Sequence, residues 1–172
     1  MAEISIRLAA NEHDIQNVRA LCREWLDWHW ENYPSDWPRG EDHPMDPVGF
    51  EATLKRLPDL HKRPLGGILI ASIDCQPVGC AMYCEASPGT AEFNRLFVSP
   101  AGRGHGLGRR LLNRMFEQMA ADGYSSVFFS SATFLTHARK MYEAAGFVAM
   151  PHPEGFPGEW RDKVYFMQRS LA

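Results

Sequence analysis

The stretch that most restricts the fold runs from Glu92 to Gly123. A strand-like run, Phe93 to Val98, meets a breaker at Ser99-Pro100, after which Gly102, Gly104, Gly106 and Gly108 alternate with Arg103, His105 and Leu107. A helix follows at once: Leu107, Leu111, Leu112, Met115 and Met119 share one face, and Asp122-Gly123 supplies the stop. Strand, glycine loop and helix start, in that order, suit an anion. The first turn of a helix leaves about four N–H groups unpaired, and the aligned peptide dipoles add roughly half a positive charge there. Glycines let the main chain approach the anion closely and permit positive φ. Arg103, Arg109 and Arg110 add charge at the same place.

The loop is a poor nucleotide-triphosphate cradle, because a Walker loop needs a Gly-Lys-Ser/Thr ending and no lysine stands here. The dinucleotide pattern G-x-G-x-x-G also fails, since Leu107 or Arg109 falls where the last glycine belongs. What is present is R-x-x-G-x-G, from Arg103 to Gly108, preceded by Asn94-Arg-Leu-Phe-Val-Ser-Pro. This resembles the fourth strand and pyrophosphate loop of the GNAT superfamily of acyl-CoA-dependent N-acetyltransferases. A second segment, Ala138-Arg-Lys-Met-Tyr142-Glu-Ala-Ala-Gly146-Phe147, is similar to that superfamily's A-x-x-L-Y-x-x-x-G-F. The two matches stand in the right order and cover the C-terminal half well, the N-terminal half loosely.

The resemblance implies an α/β (α+β) fold: a mixed, mostly antiparallel sheet flanked by helices, whose fourth and fifth strands splay apart. It implies acetyl-CoA as co-substrate, with its pantetheine arm on the main chain of Leu96, Phe97 and Val98. The pyrophosphate would sit on the loop of Arg103, Gly104, His105, Gly106, Leu107, Gly108 and Arg109. It implies transfer of an acetyl group to the primary amine of a small molecule or peptide by direct attack. Glu92, eleven positions before Arg103, would be the general base, and Tyr142 would protonate the departing sulfur. The bland alternatives are a solvated strand-end carboxylate and an ordinary core tyrosine. Many members carry an asparagine seven residues before that tyrosine; Leu135 stands there instead. A non-catalytic acyl-CoA-binding or sensing module is the competing reading of the whole chain, and a protein that uses its Trp-rich loop for interaction is a third.

Length and composition fit one N-acetyltransferase-like domain over residues 1–172, since a chain that is 45% hydrophobic buries one substantial core. The net charge of −3 argues against a nucleic-acid or anionic-membrane surface. No apolar run reaches about 18 residues, and the N-terminus lacks the pattern of a signal peptide, so a cytoplasmic enzyme is expected. Four scattered cysteines without a Cys-x-x-Cys, and seven dispersed histidines, offer no metal site. A homodimer is left open.

Along the chain, Ile4 to Leu8 alternates like a strand, and Asn11 caps a helix reaching about Trp30, with Ile15, Val18, Leu21, Cys22, Trp25 and His29 inward. Residues 33–47 hold four prolines and read as loop; a helix resumes from Pro47 to Leu57. Gly67 to Ile73 and Val78 to Cys84 form a hairpin around Asp74-Cys-Gln-Pro77, whose last two residues suit a tight turn poorly and leave a longer loop open. After the helix from Leu107, a strand at Ser126 to Ser130 precedes a helix from Phe134 to Ala145, capped by Thr133 and ended by Gly146. Two short strands, from Phe147 and from Lys163 to Gln168, close the sheet.

In this superfamily the first two helices and the loop between the last strands build the acceptor site. Carried over, these are residues 28–47 and 151–161, which hold Trp28, Trp30, Tyr33, Trp37, Phe156 and Trp160 with Asp36, Glu41, Asp42 and Asp46. Trp28, Tyr33, Trp37 and Trp160 are the candidates for acceptor binding. Aromatic walls with carboxylates suit a cationic amine with an apolar body; the alternative is that the aromatics plug the helix pair against the sheet.

Overall fold

The computed structural model describes residues 1–40 and 42–172; Glu41 lies outside the described residues. Seven strands form one sheet: β1 (Ile4–Leu8), β2 (Gly67–Ile73), β3 (Gln76–Ser87), β4 (Thr90–Val98), β5 (Ser126–Ala132), β6 (Val148–Met150) and β7 (Val164–Ser170), in the order β1-β2-β3-β4-β5-β7-β6. The helices are α1 (Glu12–Asn32), α2 (Pro47–Lys55), α3 (Leu57–Leu60), α4 (Leu107–Ala121) and α5 (Thr136–Ala144). All strand pairs are antiparallel except β4 with β5. That parallel pair needs a crossover, and α4 provides it. The mixed, mostly antiparallel sheet between helices is the architecture the sequence predicts.

Local chemistry sets the element ends. Asn11 Oδ1 accepts the Asp14 amide at 2.9 Å to start α1, and Asp46 accepts the Gly49 amide at 3.0 Å to start α2, with Pro47 in the first turn. The buried Asp14 carboxylate also takes both Nη atoms of Arg7, at 2.7 and 2.8 Å, and the Ala10 amide, which ties β1 to α1. The helix expected from Pro47 to Leu57 is two helices. Pro58 cannot donate to the preceding turn, so α2 stops at Lys55 and α3 restarts with that proline in its first turn.

Two further expectations are corrected. The β2-β3 connection is a two-residue turn, Ile73 pairing with Gln76, and Asp74 and Cys75 both adopt positive φ (48° and 66°). Such a primed turn matches strand twist, and aspartate tolerates the left-handed region. Asp74 is held there by reciprocal 2.8 Å bonds with Glu3, Oδ1 accepting the Glu3 amide and its own N–H donating to the Glu3 carbonyl. Thr133 does not cap α5. Its amide donates to the Lys163 carbonyl, which prolongs the β5-β7 contact, and α5 begins only at Thr136 behind Leu135 without a side-chain cap.

The sheet buries both faces. Against α4 and α5 lie Leu69, Ala71, Ala81, Tyr83, Ala91, Phe93, Val127 and Phe129, with Leu111, Leu112, Met115 and Met119 from α4. Against α1 and α2 lie Ile68, Ile70, Cys80, Met82 and Phe97, with Val18, Leu21, Cys22, Leu26, Phe50 and Leu54. Alternation along β2 and β3 assigns the two sets, as side chains two apart share a face. On β4 the alternation breaks: Phe93 faces α4 and Phe97 faces α1. Between them the register to β3 slips, Cys80 opposing Phe97 but Met82 opposing Asn94, so β4 carries one extra residue. Arg95 sits in this bulge with φ 52°, a left-handed conformation uncommon outside glycine.

Candidate active site

The bulge lies where β4 and β5 part. Their parallel ladder has only three rungs, Thr90 to Ser126, Ala91 to Val127 and Glu92 to Phe128. Beyond Glu92, β4 continues six residues to Val98 paired with β3 alone, and β5 continues from Phe129 to Ala132 paired with β7 alone. The main chain of Leu96, Phe97 and Val98 therefore has one edge free of any strand. An extended thioester arm could add there as a strand would.

Tyr142 of α5 covers the fork. Its ring packs 5.4 Å from Phe93 and 4.4 Å from Phe129, centroid to centroid, the first residue on each strand past the last rung. Only 6% of the residue is exposed, and burial pushes the phenol's pKa well above its ordinary value. The ring meets these aromatic neighbours, and its hydroxyl makes no hydrogen bond to a described residue. A neutral phenol with a free O–H is equipped to give a proton.

Glu92 stands on the last rung with its side chain on the opposite face, since Ala91 and Phe93 on either side face α4. It is half-buried, and burial raises its carboxyl pKa against the opposing pull of Asn94 and Arg95. A carboxylate whose pKa is raised is a stronger base wherever it is ionised.

The glycine loop joins β4 to α4 through a 3-10 turn at Pro100–Gly102. Gly106 caps α4 in the left-handed conformation (φ 65°), and Gly104 is also left-handed (φ 81°). None of the amides of residues 104–109 makes a hydrogen bond to a described residue, whereas Arg110 N–H already bonds to the Gly106 carbonyl. The first turn of α4 contains no acid, and Arg103, His105, Arg109 and Arg110 are exposed around it. Gly108 brings this end of α4 against α5, because a Cβ there would lie 3.2 Å from Met141 Sδ. A row of unpaired amides at a positive helix end fits a diphosphate, and the free β4 edge fits the arm that would follow it.

Across the sheet an aromatic cluster joins the N-terminal loop to the C-terminal one. The ring of His29 lies 5.2 to 5.5 Å from Trp25, Trp30, Tyr33 and Phe134, Trp37 packs on Tyr33 and Phe134, and His43 bridges Tyr33 to Trp160. His43 Nδ1 accepts the Met45 amide, so its Nε2–H donates to the Tyr33 hydroxyl at 2.9 Å, which in turn donates to the Pro38 carbonyl at 2.7 Å. Arg39 lies over Trp30 and Tyr33, 5.8 and 5.1 Å from the ring centres, and so occupies the place where an acceptor cation would sit on those two rings.

Of the candidate acceptor residues, Tyr33, Trp37 and Trp160 meet in this cluster, and Trp28 contributes no ring to it. Phe156 packs instead with His152 and Phe166. Asp46 is engaged as the α2 cap, Asp36 and Asp42 are exposed, and Glu41 lies outside the described residues. The sequence put His29 on the inward stripe of α1 but gave no site role to it or to His43, Arg39 or Phe134; their meeting is a matter of tertiary packing, with no short spacing to announce it. Two open surface grooves, one over Pro47, Val48 and Glu51 and one over Leu8, Asn11 and His61, contain neither Glu92 nor Tyr142. Among the described residues no cluster of histidine, cysteine or acid could hold a metal ion, and no helix is long and apolar enough to cross a membrane.

The model of the acetyltransferase (GNAT) family matches residues 22–147. An IAA acetyltransferase of Azospirillum brasilense is 32% identical over 80 residues, covering 46% of this chain and 52% of that protein, so the match spans about half of that relative's length. An uncharacterized N-acetyltransferase of Schizosaccharomyces pombe is 29% identical over 155 residues, covering 85% of this chain and 83% of that protein. An acetyltransferase of Salmonella typhimurium, solved with its cofactor acetyl-CoA, shares the fold at a TM-score of 0.67 and 19% identity, over 99% of this chain and 95% of that one. The chain belongs to the GNAT acetyltransferase family and is an acyl-CoA-dependent N-acetyltransferase.

Proposed function

We propose that residues 1–172 act as one cytoplasmic N-acetyltransferase domain that moves the acetyl group of acetyl-CoA to the primary amine of a small molecule or peptide. The observation that carries the reading is the fork: a free β4 edge, unpaired amides at the start of α4, and Tyr142 and Glu92 on opposite faces of the parting point. Bound acetyl-CoA supplies a thioester whose acyl carbon is open to attack. The amides of residues 104–109, with Arg103 and Arg109, hold the diphosphate, and the β4 edge at Leu96, Phe97 and Val98 aligns the arm. An N–H of that edge donates to the thioester carbonyl, an interaction whose loss typically raises a barrier by about 3 kcal/mol in acyl-transfer enzymes.

The acceptor arrives from the α1 side as an ammonium, whose ordinary pKa is about 10.4, and must lose a proton before it can attack. Glu92 takes that proton, directly or through one water. As the new C–N bond forms the C–S bond breaks, the Tyr142 hydroxyl gives its proton to the sulfur, and the second proton leaving the nitrogen passes through solvent to restore the phenol while Glu92 releases its own to water. Leu135 offers no polar contact where many relatives carry an asparagine, so cofactor affinity rests on the main chain. The cytoplasmic assignment is supported by four cysteines that all stand as free thiols.

Thiol release from acetyl-CoA over a panel of amines tests the reading. Turnover with at least one amine is expected, and Tyr142→Phe should lose most of it while retaining cofactor affinity. Absence of turnover with every amine, or an unaffected Tyr142→Phe, contradicts it.

A further inference from the structure

Five arginines are half-buried: Arg19, Arg95, Arg114, Arg139 and Arg169. Four of them give hydrogen bonds to oxygen, Arg19 to the Leu54 carbonyl at 2.9 Å, Arg114 to Gln118 at 3.1 Å, Arg139 to Glu143 at 3.2 Å and Arg169 to the Ala145 carbonyl at 2.6 Å. Arg95 gives none to any described oxygen. Its Nε–H is enclosed without a partner, its Nη1 reaches only the Met82 sulfur at 4.0 Å, and its guanidinium lies 5.9 Å from the centre of the Phe50 ring. An unpaired guanidinium between a phenylalanine and a thioether is costly, because a partly desolvated cation with open donors has lost water and gained nothing comparable. The bulge puts this residue in a strained backbone conformation three positions beyond Glu92, in whose field it acts. Unpaired polar atoms and backbone strain together mark places shaped for a ligand.

We propose that Arg95 is the acceptor's anion anchor, and that the amine this enzyme acetylates carries a carboxylate, as an amino acid does. The inference rests on the acyl-transfer reading above, with Glu92 as the base. The planar guanidinium fork donates two parallel bonds to a carboxylate. Glu92 and Arg95, three residues apart across a bulge, then address the two ends of one zwitterion: the carboxylate to the guanidinium, the ammonium to the glutamate. Binding of the carboxylate has a second effect. The positive charge of Arg95 pulls the Glu92 pKa down, and neutralising it lets burial raise that pKa further, so the base strengthens once the correct acceptor is seated.

The test uses the full chain with matched acceptors: phenylalanine, its methyl ester and phenylethylamine, then lysine and cadaverine. The wild type should favour the carboxylate member of a pair by 10-fold or more in kcat/KM, about the discrimination one charge-assisted pair supplies. Arg95→Met should erase that preference by raising KM for the carboxylate acceptor while leaving KM for acetyl-CoA unchanged and retaining turnover of the decarboxylated amine. Arg95→Lys, which keeps the charge and survives if the methionine variant does not fold, should restore part of the preference. Equal use of both members by the wild type, or a preference retained in Arg95→Met, overturns the inference and leaves the acetyltransferase standing. A wild type that turns over no amine of either kind overturns the acyl-transfer reading and this inference with it.

Discussion

The two faces of the sheet are built by opposite means. On the α4 and α5 face, the features suited to the donor belong to the main chain: amides 104–109, the free β4 edge and the left-handed glycines at 104 and 106. On the α1 and α2 face, the features suited to the acceptor are side chains: Glu92, Arg95, and an aromatic cluster drawn from α1, residues 33–45, Phe134 and Trp160. A cofactor that never changes can be held by backbone, which no substitution removes easily. An acceptor is chosen by side chains, so under the proposed function this face would set specificity. The faces also differ in buried ionisable groups. His29 and His61 are buried on the acceptor side, whereas His105 and His137 on the donor side are exposed.

The comparison breaks if the acceptor face carries no chemistry. Glu92→Gln keeps the shape and removes the base, and kcat should fall about 10²- to 10⁴-fold with KM for acetyl-CoA little changed. Because burial raises the Glu92 pKa, the rising limb of the wild-type pH–rate profile should lie above the ordinary carboxylate range and vanish in the variant. A profile that survives Glu92→Gln assigns the base elsewhere.

The hydrophobic layer under the fork gives the next effect. Phe129 is 1% exposed and contacts the rings of Phe93, Tyr142, Phe147 and Tyr165. Phe129→Ala should destabilise by about 3–5 kcal/mol in urea unfolding, through lost transfer energy and the cavity left behind.

Acid should separate the faces. Burial holds His29 and His61 at a pKa of about 4, against about 6.5 when unfolded. Both are neutral in the folded state, so their contribution is whole above pH 6.5 and is lost as pH falls through 6.5 toward 4, by up to about 3 kcal/mol each. Amide exchange near pH 5 should therefore open α1 and residues 57–61 ahead of α4 and β5. Uniform opening would remove this distinction.

The smallest effect sharpens the donor side. Gly106→Val puts a β-branched residue at φ 65°, a conformation it strains to hold, so the amide row shifts and KM for acetyl-CoA should rise about 10- to 100-fold, or 1.4–2.8 kcal/mol. Trp37→Ala should leave that KM unchanged and alter only the acceptor's.

The two faces were unequally legible in the sequence. The glycine loop, α4 and the Tyr142 segment are local: their glycines, helical periodicity and stops sit within a few residues of one another, β1 fell where alternation put it, and β2 fell where the hairpin reading put it. The bulge at Arg95 gave no sign, because an arginine does not advertise positive φ. The Asp74-Cys75 turn was hidden for the same reason, as its stability comes from Glu3, 71 residues away. The aromatic cluster was half visible. Tyr33, Trp37 and Trp160 could be grouped by segment, but His29, His43 and Phe134 join them only through packing between elements distant in sequence, and Trp28, a neighbour of His29 in the chain, points its ring elsewhere.

The most direct test is a titration of coenzyme A into nitrogen-15-labelled protein, followed by amide chemical shifts. Saturable shifts at residues 104–109 and along Leu96 to Val98, with the Trp30 and Trp37 indole signals still, are the predicted result. Shifts centred on the aromatic cluster, or saturation that leaves the 104–109 amides unmoved, would contradict a donor site made of main chain.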